Sequence, residues 1–258
     1  LVPMYLSQKY HEDFGYYHLP YALALLEEKI IFGFANVNPT YVYNSIWLNM
    51  NSIFFLNDKN FNFLTLPSYL LYLSFIFFSL QNIFSAKHIK ISDYYLVVLL
   101  FYFILKFTRI SEFGVDLPSV IFSVLGIYHF MRFYETNLEE EKKIYFYLNF
   151  LFSTFAILIK LSVLPVILLT FFLYFKNFKI LKFYIFNLKF FLPYFLITLF
   201  FLQQFIYTGC FFFPTKFTCL NVSWFNNEYL ELSKKLELIN KSYATARDIY
   251  SPSEYLSN

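Results

Sequence analysis

The sequence has little glycine, little cysteine and little charge. Its 258 residues include 5 glycines and 2 cysteines, and 14% of the residues are charged. Charged side chains this scarce could not by themselves cover the surface of a water-soluble domain. The net charge of +3 is small, and the chain has neither a clustered basic face nor a nucleic-acid-binding motif. These absences argue against a soluble globular protein, and they give no reason to expect a nucleic acid as partner.

Apolar and aromatic residues are abundant instead. Hydrophobic residues make up 59% of the chain, whereas about 45–50% is usual for soluble domains. The 39 phenylalanines and 24 tyrosines could serve as stacking surfaces for bases or sugars. However, isoleucine, lysine and asparagine are also frequent while glycine is rare, as expected of an AT-rich genome. The aromatic content therefore does not by itself indicate a ligand.

Six apolar stretches divide the chain, and lysines gather in every second gap between them. The stretches are 65–83, 93–108, 116–134, 144–161, 163–175 and 188–206. A hydrocarbon core about 30 Å thick needs about 20 helical residues, fewer where flanking side chains snorkel. Positive charge stays on the cytoplasmic side during insertion. The pattern predicts an all-α, polytopic membrane protein with about six transmembrane helices and with the lysine-rich gaps inside.

Lys160 lies between the fourth and fifth stretches, and Pro165 follows shortly after it. A single long helix through both stretches would hold the Lys160 charge in the middle of the membrane, which is costly. We therefore predict two helices that meet in a tight external turn, with Lys160 at or just below the outer surface.

Two shorter helical patterns precede the first long stretch. Residues 20–31 open on Pro20, which suits a first helical turn, and Gly33 follows as a stop signal. Residues 41–56 are apolar but contain several asparagines, so a helix in the outer interface fits better than a crossing one. The predicted organisation is a first external loop with two interfacial helices over 1–64, a transmembrane domain over 65–207, and an external segment over 208–258.

Both ends of the chain are predicted to lie outside the cytoplasm. The sequence begins at Leu1, in polar residues, with no initiator methionine and no signal peptide. We expect a further transmembrane helix upstream and a truncated external segment after Asn258. Cys210 and Cys219 lie in the predicted external segment, where an oxidising compartment would permit a disulfide. Two buried free thiols are the alternative.

The external loops hold ionisable residues in two groups, His11–Pro20 and Arg109–Pro118. Their acids, a histidine and Lys160 could converge beside the outer leaflet. A carboxylate there could take a proton from an incoming hydroxyl, and a cation could stabilise a departing phosphate. Such a set suits attack on a sugar whose leaving group is a lipid phosphate. The structural alternatives are a helix N-cap for Asp116 and a surface ion pair between Arg109 and Glu112.

Several short, ordered motifs resemble a family of bacterial integral membrane proteins that is similar to the C-type membrane glycosyltransferases. The latter include protein O-mannosyltransferases and bacterial oligosaccharyltransferases. In the first loop the pattern is an Asp, a Tyr-His pair, a Gly-x-x-Asn and an Asn-Ser. The matching runs, spread over about 200 of the 258 residues, are Asp13–Pro20, Gly33–Asn36, Tyr43–Trp47, Glu112–Pro118, Ile159–Ser162 and Gly209–Pro214.

The resemblance implies a role for each matching residue. Asp13 would be the catalytic base, and Glu112 and Asp116 would match an acidic pair that in oligosaccharyltransferases helps to hold a divalent metal. Their spacing is four here rather than two, which leaves a bound Mg²⁺ or Mn²⁺ an open question. Lys160 would face the lipid phosphate. The remaining candidate substrate-binding residues are Tyr17, His18, Asn44 and Arg109.

The expected function is therefore that of a glycosyltransferase in the bacterial inner membrane. It would transfer a sugar from a polyprenyl-phosphate-linked donor to an acceptor at the outer face, in the synthesis of cell-envelope polysaccharide. One alternative is a transporter or flippase of lipid-linked saccharides, although charges at the membrane midplane are nearly absent. Another is a non-catalytic membrane protein of envelope assembly.

Overall fold

The computed structural model describes residues 14–28, 30–42, 44–55, 62–86, 88–106 and 113–235. Over these ranges the chain is helical, and the one β pairing is an isolated antiparallel bridge between Cys210 and Cys219. The prediction of an all-α protein is confirmed for this part of the chain.

The helices follow the predicted stretches closely. They are α1 (Leu19–Glu27), α2 (Ile46–Phe55), α3 (Asn62–Ser85), α4 (Ile91–Leu105), α5 (Asp116–Glu135), α6 (Glu139–Ile159), α7 (Ile167–Lys176), α8 (Phe178–Leu181), α9 (Phe191–Thr208) and α10 (227–235). A π-helical turn, Phe14–His18, precedes α1. The 3-10 turns are Phe34–Asn36, Pro39–Val42, Leu161–Val166, Tyr184–Phe186, Leu188–Phe190 and Lys216–Thr218.

The described residues form two compact units. The first contains 14–28 and 45–200, and the second contains 30–42, Asn44 and 201–235. The first unit holds the helices α1 to α8 and most of α9.

Helices α5 and α6 form the closest pair in the first unit. A Cβ atom added at Gly126 of α5 would lie 2.9 Å from Ser153 Oγ of α6, so glycine is what lets the two helices approach. The Asn149 side chain donates to the Gly126 carbonyl at 2.8 Å. Thr170 of α7 donates to the Asn149 Oδ1 atom at 2.6 Å. A buried amide thus links three helices, in the way polar residues join helices in membranes.

The short helices α1 and α2 pack on this bundle through polar side chains as well as apolar ones. Ser45 precedes α2 and its Oγ accepts the Trp47 backbone N–H. The Trp47 indole N–H donates to Ser68 of α3 at 3.2 Å. The Tyr21 hydroxyl of α1 donates to Asn49 of α2 at 3.1 Å. Both predicted short helices are therefore present and are fixed by specific hydrogen bonds.

Within the described ranges, three helices are long and apolar enough to cross a membrane: Phe63–Ser85, Glu139–Ile159 and Leu188–Thr208. A fourth candidate is the pair Leu161–Lys176 and Phe178–Phe186, whose axes meet at 93°. The helix α4 is apolar but shorter. The chain is thus a membrane protein with three or four candidate spanning helices. Many large apolar side chains on these helices are exposed, as a lipid-facing surface requires.

The second unit is organised around Gly33 and the end of α9. Gly33 has φ +70°, a conformation that favours glycine, and its N–H donates to the Ile206 carbonyl at 2.9 Å. The Asn36 side chain donates to the Trp224 carbonyl at 2.9 Å. Cys210 and Cys219 form a disulfide. Of the two states considered for these cysteines, the bridged one is observed.

Candidate functional site

An ion pair between Lys160 and Asp116 marks the candidate site. Asp116 is the first residue of α5, and Lys160 directly follows the last residue of α6. The Lys160 ammonium contacts Asp116 Oδ1, and the two side chains are 40% and 56% exposed. The sequence assigned both residues to one external site, and the fold brings them into contact across 44 positions of sequence.

Local sequence explains why Lys160 lies at this point. Its N–H still donates to the Ala156 carbonyl, but its backbone is extended, with φ −148° and ψ 111°. A 3-10 turn, Leu161–Val166, follows and contains Pro165. Proline inside an α-helix would remove a backbone hydrogen bond and clash with the preceding turn. The chain therefore breaks at Lys160, as predicted, and the two helices do not run on as one.

The ion pair lies in an open cleft of about 370 Å³ between the end of α4, the start of α5 and the turn after α6. Lys106, which follows α4, also lines this cleft, together with Ser119 and Ser162. The ionisable lining thus carries two cations and one carboxylate. Such a site favours an anionic group near the lysines, and the carboxylate can hold one lysine in position.

His18 packs beside the residues that lead into α5. Its ring centroid lies 5.5 Å from that of Phe113, and a Cβ atom at Gly114 would be 3.8 Å from His18 Cε1. Phe14, at the other end of the π-helical turn, meets Phe113 with centroids 5.4 Å apart. Both His18 and Phe14 are buried in this contact. Two segments that the sequence assigned to different external loops are therefore packed together.

The other predicted site residues have different outcomes. Asp13, Arg109 and Glu112 lie outside the described residues. Tyr17 belongs to the π-helical turn Phe14–His18. Asn44 is buried in the second unit, where its N–H donates to the Val42 carbonyl at 2.9 Å. Their roles stay predictions.

Asp116 does not cap α5, so the capping alternative is wrong. The helix α5 begins at Asp116 itself and Val115 precedes it, with no side-chain cap. The Asp116 carboxylate contacts Lys160 instead.

A divalent metal does not fit the described part of the site. Within the described residues there is no group of three or more His, Cys, Asp or Glu side chains placed to hold a metal ion. Asp116, the one predicted acid in this part of the chain, already contacts the Lys160 ammonium. A cation beside Asp116 would be repelled by that lysine, so we assign no step to a metal.

Lys106 is the cleft residue that sequence reasoning did not assign to the site. Its position near the end of the predicted stretch 93–108, next to a predicted external loop, was the available signal. What the sequence did not contain is the packing that turns the end of α4 towards the start of α5.

The chain belongs to the family described as Domain of unknown function (DUF8201), whose model matches residues 3–256. A comparison with curated proteins finds no match, and a comparison with solved structures finds none either. The family model thus covers almost the whole chain, including every residue of the candidate site.

Proposed function

We propose that this protein is a glycosyltransferase of the bacterial inner membrane, with a C-type fold of about six transmembrane helices. It transfers a sugar from a polyprenyl-phosphate-linked donor to an acceptor at the outer face, in cell-envelope polysaccharide synthesis. The observation that carries the proposal is the cleft in which Lys106 and Lys160 lie together with Asp116.

The positive charges of Lys106 and Lys160 can stabilise the phosphate of the donor. A phosphate that leaves with the electron pair of the broken bond gains negative charge, and fixed cations stabilise that charge best in the transition state. Lys160 is held by Asp116, while Lys106 enters the cleft from α4. A positioned ammonium pays less ordering entropy on binding than a mobile one would.

The acceptor side of the reaction needs a carboxylate. The acceptor oxygen forms a bond to the anomeric carbon, its proton passes to the carboxylate, and the bond between that carbon and the phosphate oxygen breaks. We assign the role of this proton-accepting carboxylate to Asp13. The ring contact between Phe14 and Phe113 supports this assignment, because Asp13 immediately precedes Phe14 in sequence and Phe113 lies just before α5.

The buried polar residues of the bundle support transfer over transport. Asn149 donates to the Gly126 carbonyl and accepts from the Thr170 hydroxyl, so these groups hold helices together. A transport path would need polar groups that are available to a solute.

The proposal is tested by two variants that break the same ion pair. Lys160→Gln removes a phosphate ligand, so KM for a polyprenyl-phosphate-linked donor should rise about tenfold or more, in line with a charged hydrogen bond of about 1.5–3 kcal/mol. Asp116→Asn removes a negative charge beside the phosphate but also frees the Lys160 side chain, so the two effects oppose each other and KM should change much less than in Lys160→Gln. Lys160→Arg should keep much of the wild-type KM.

A purely structural ion pair predicts that Lys160→Gln and Asp116→Asn raise KM by similar factors. That result would refute the phosphate-binding role of Lys160. The charge-neutralising control is Lys216→Gln, since Lys216 is exposed in the second unit and has no part in the proposed chemistry.

A further inference from the structure

Beyond α7 the chain forms a short basic segment, 176–190, which we call the lysine elbow. Its lysines are Lys176, Lys179, Lys182 and Lys189, and all four are exposed. From Ile144 to Asn227 the sequence contains no Asp and no Glu. The positive charge of the elbow is therefore not offset by any acid within its own stretch of chain.

The elbow turns away from α7 at nearly a right angle. The axes of Leu161–Lys176 and Phe178–Phe186 meet at 93°. If α7 runs across the bilayer, the elbow runs along its surface. The alternative, in which the elbow enters the hydrocarbon, would immerse several ammonium groups at a cost of about 2.5–3.5 kcal/mol each at the centre.

Two apolar side chains fix the elbow to the helix bundle. Leu181 and Phe190 are fully buried in a cluster with Phe133, Phe146 and Leu173. Three large apolar side chains near these anchors are instead largely exposed. Phe183 is 74% exposed, Phe186 81% and Leu188 85%.

Exposed phenylalanines interleaved with exposed lysines match the chemistry of a membrane interface. The rings can enter the acyl boundary while the ammonium groups stay at the level of the headgroups. Lys176 and Lys182 already lie over aromatic rings, with Lys176 Nζ 5.1 Å from the Tyr134 centroid and Lys182 Nζ 4.7 Å from that of Phe183. These ring contacts leave the ammonium groups able to meet an anion.

Most of the glutamates between the end of α5 and the first turn of α6 already have polar partners. Glu140 forms an ion pair with Lys143 at 2.6 Å, and Glu141 accepts a hydrogen bond from Thr136. Glu135 accepts from the Ser92 hydroxyl at 2.6 Å and lies 3.7 Å from Arg132. The lysines of the elbow are in none of these pairs.

We propose that the lysine elbow is a binding surface for the headgroups of anionic phospholipids. It would concentrate these lipids around the inner ends of α5, α6 and α7. The inference requires only that the protein is embedded in a bilayer, and it holds whether or not the protein transfers a sugar.

The test uses the whole chain, reconstituted in vesicles of equal phosphatidylglycerol and phosphatidylcholine. Electron spin resonance of spin-labelled forms of each lipid gives the ratio of their association constants. The triple variant Lys179→Gln, Lys182→Gln, Lys189→Gln should lower this ratio by at least about fivefold, the factor that one surface lysine contributes. A salt concentration of 1 M should lower the wild-type ratio too, because the Debye length falls to about 3 Å.

Two further variants test whether the effect depends on the charge of the elbow. The first controls for damage to the fold, and the second controls for the change in the net charge of the protein. The triple arginine variant at positions 179, 182 and 189 keeps the charges and should keep the ratio. The triple variant Lys216→Gln, Lys234→Gln, Lys235→Gln removes three charges elsewhere and should also keep it. The proposal is wrong if the elbow glutamine variant retains the wild-type ratio, or if the control variant loses as much.

Discussion

The ring of Phe14 meets the ring of Phe113 edge-on, with centroids 5.4 Å apart and 82° between the ring planes. In sequence these residues are 99 positions apart. Each directly follows an acid that the sequence assigned to the candidate site, Asp13 and Glu112. The contact therefore links the π-helical turn Phe14–His18 to the entry to α5.

We expect this ring contact to contribute measurably to stability. Edge-to-face pairs contribute about 0.5–1.5 kcal/mol beyond their buried area. A double-mutant cycle with Phe14→Leu and Phe113→Leu, measured by unfolding in mixed micelles, should give a coupling free energy in that range. The pair Phe191 and Phe195, which stacks within the exposed face of α9, is the control and should couple more weakly. Additive effects of the two leucine substitutions would contradict the prediction.

Asp13→Asn should abolish sugar transfer and leave insertion into the membrane unchanged. The amide keeps the size of the side chain but cannot accept the hydroxyl proton, and a general base contributes about 10²–10⁴-fold to rate. Transfer from a polyprenyl-phosphate-linked donor is the measurement, with binding of the donor as the second readout. Donor binding should change little, because Lys106 and Lys160 are intact. Wild-type transfer by Asp13→Asn would remove the role proposed for this residue.

The disulfide between Cys210 and Cys219 should be present in cells and accessible from outside. In intact cells a membrane-impermeant maleimide should label these cysteines only after an external reductant has been applied. The same experiment on Cys210→Ser should label the remaining thiol without reduction. If neither the reduced wild-type protein nor Cys210→Ser were labelled from outside, the loop would face the cytoplasm, against the predicted topology.

The same bridge should stabilise the second unit. Closing a loop of this size contributes about 2–3 kcal/mol in the chain-entropy model. The double variant Cys210→Ser, Cys219→Ser should therefore unfold at lower denaturant concentration than the wild type. Treatment of the double variant with reductant should have no further effect, whereas reduction of the wild type should reproduce the loss.

Asn149 should be important for the packing of three helices. Asn149→Leu removes both the bond to Gly126 and the bond from Thr170, and polar contacts of this kind contribute about 1–2 kcal/mol in model membranes. Thr170→Val should destabilise the protein by about one such bond. Thr198→Val is the control, since its hydroxyl bonds only to the Tyr194 carbonyl of its own helix. Equal losses from the two threonine variants would contradict a bridging role.

The hydropathy pattern predicted the helices better than their packing. The stretches 65–83 and 116–134 lie inside the helices Asn62–Ser85 and Asp116–Glu135. The break at Lys160 was predicted because a buried charge and a nearby proline both oppose a continuous helix. Sequence alone did not predict the 93° turn after Lys176, since apolar residues continue through it and periodicity contains no information on direction.

The candidate site was predictable only in part, for a related reason. Lys160 and Asp116 were both assigned to the outer surface, and their contact follows once α5 and α6 are known to be antiparallel neighbours. Lys106 was not assigned, because its place in the cleft depends on how α4 packs. Contacts between helices depend on side-chain shape over the whole interface, which a single sequence does not specify.

The helix dipoles favour the observed placement of the two charges in the ion pair. Asp116 lies at the N-terminus of α5, where the aligned peptide dipoles present partial positive charge, and Lys160 lies at the C-terminus of α6, where they present partial negative charge. Each side chain is therefore favoured by its own helix as well as by its partner. Exchanging the two residues would place each charge against a helix end of like sign, at about 0.3–1 kcal/mol apiece. The backbone thus selects which of the two helices supplies the cation.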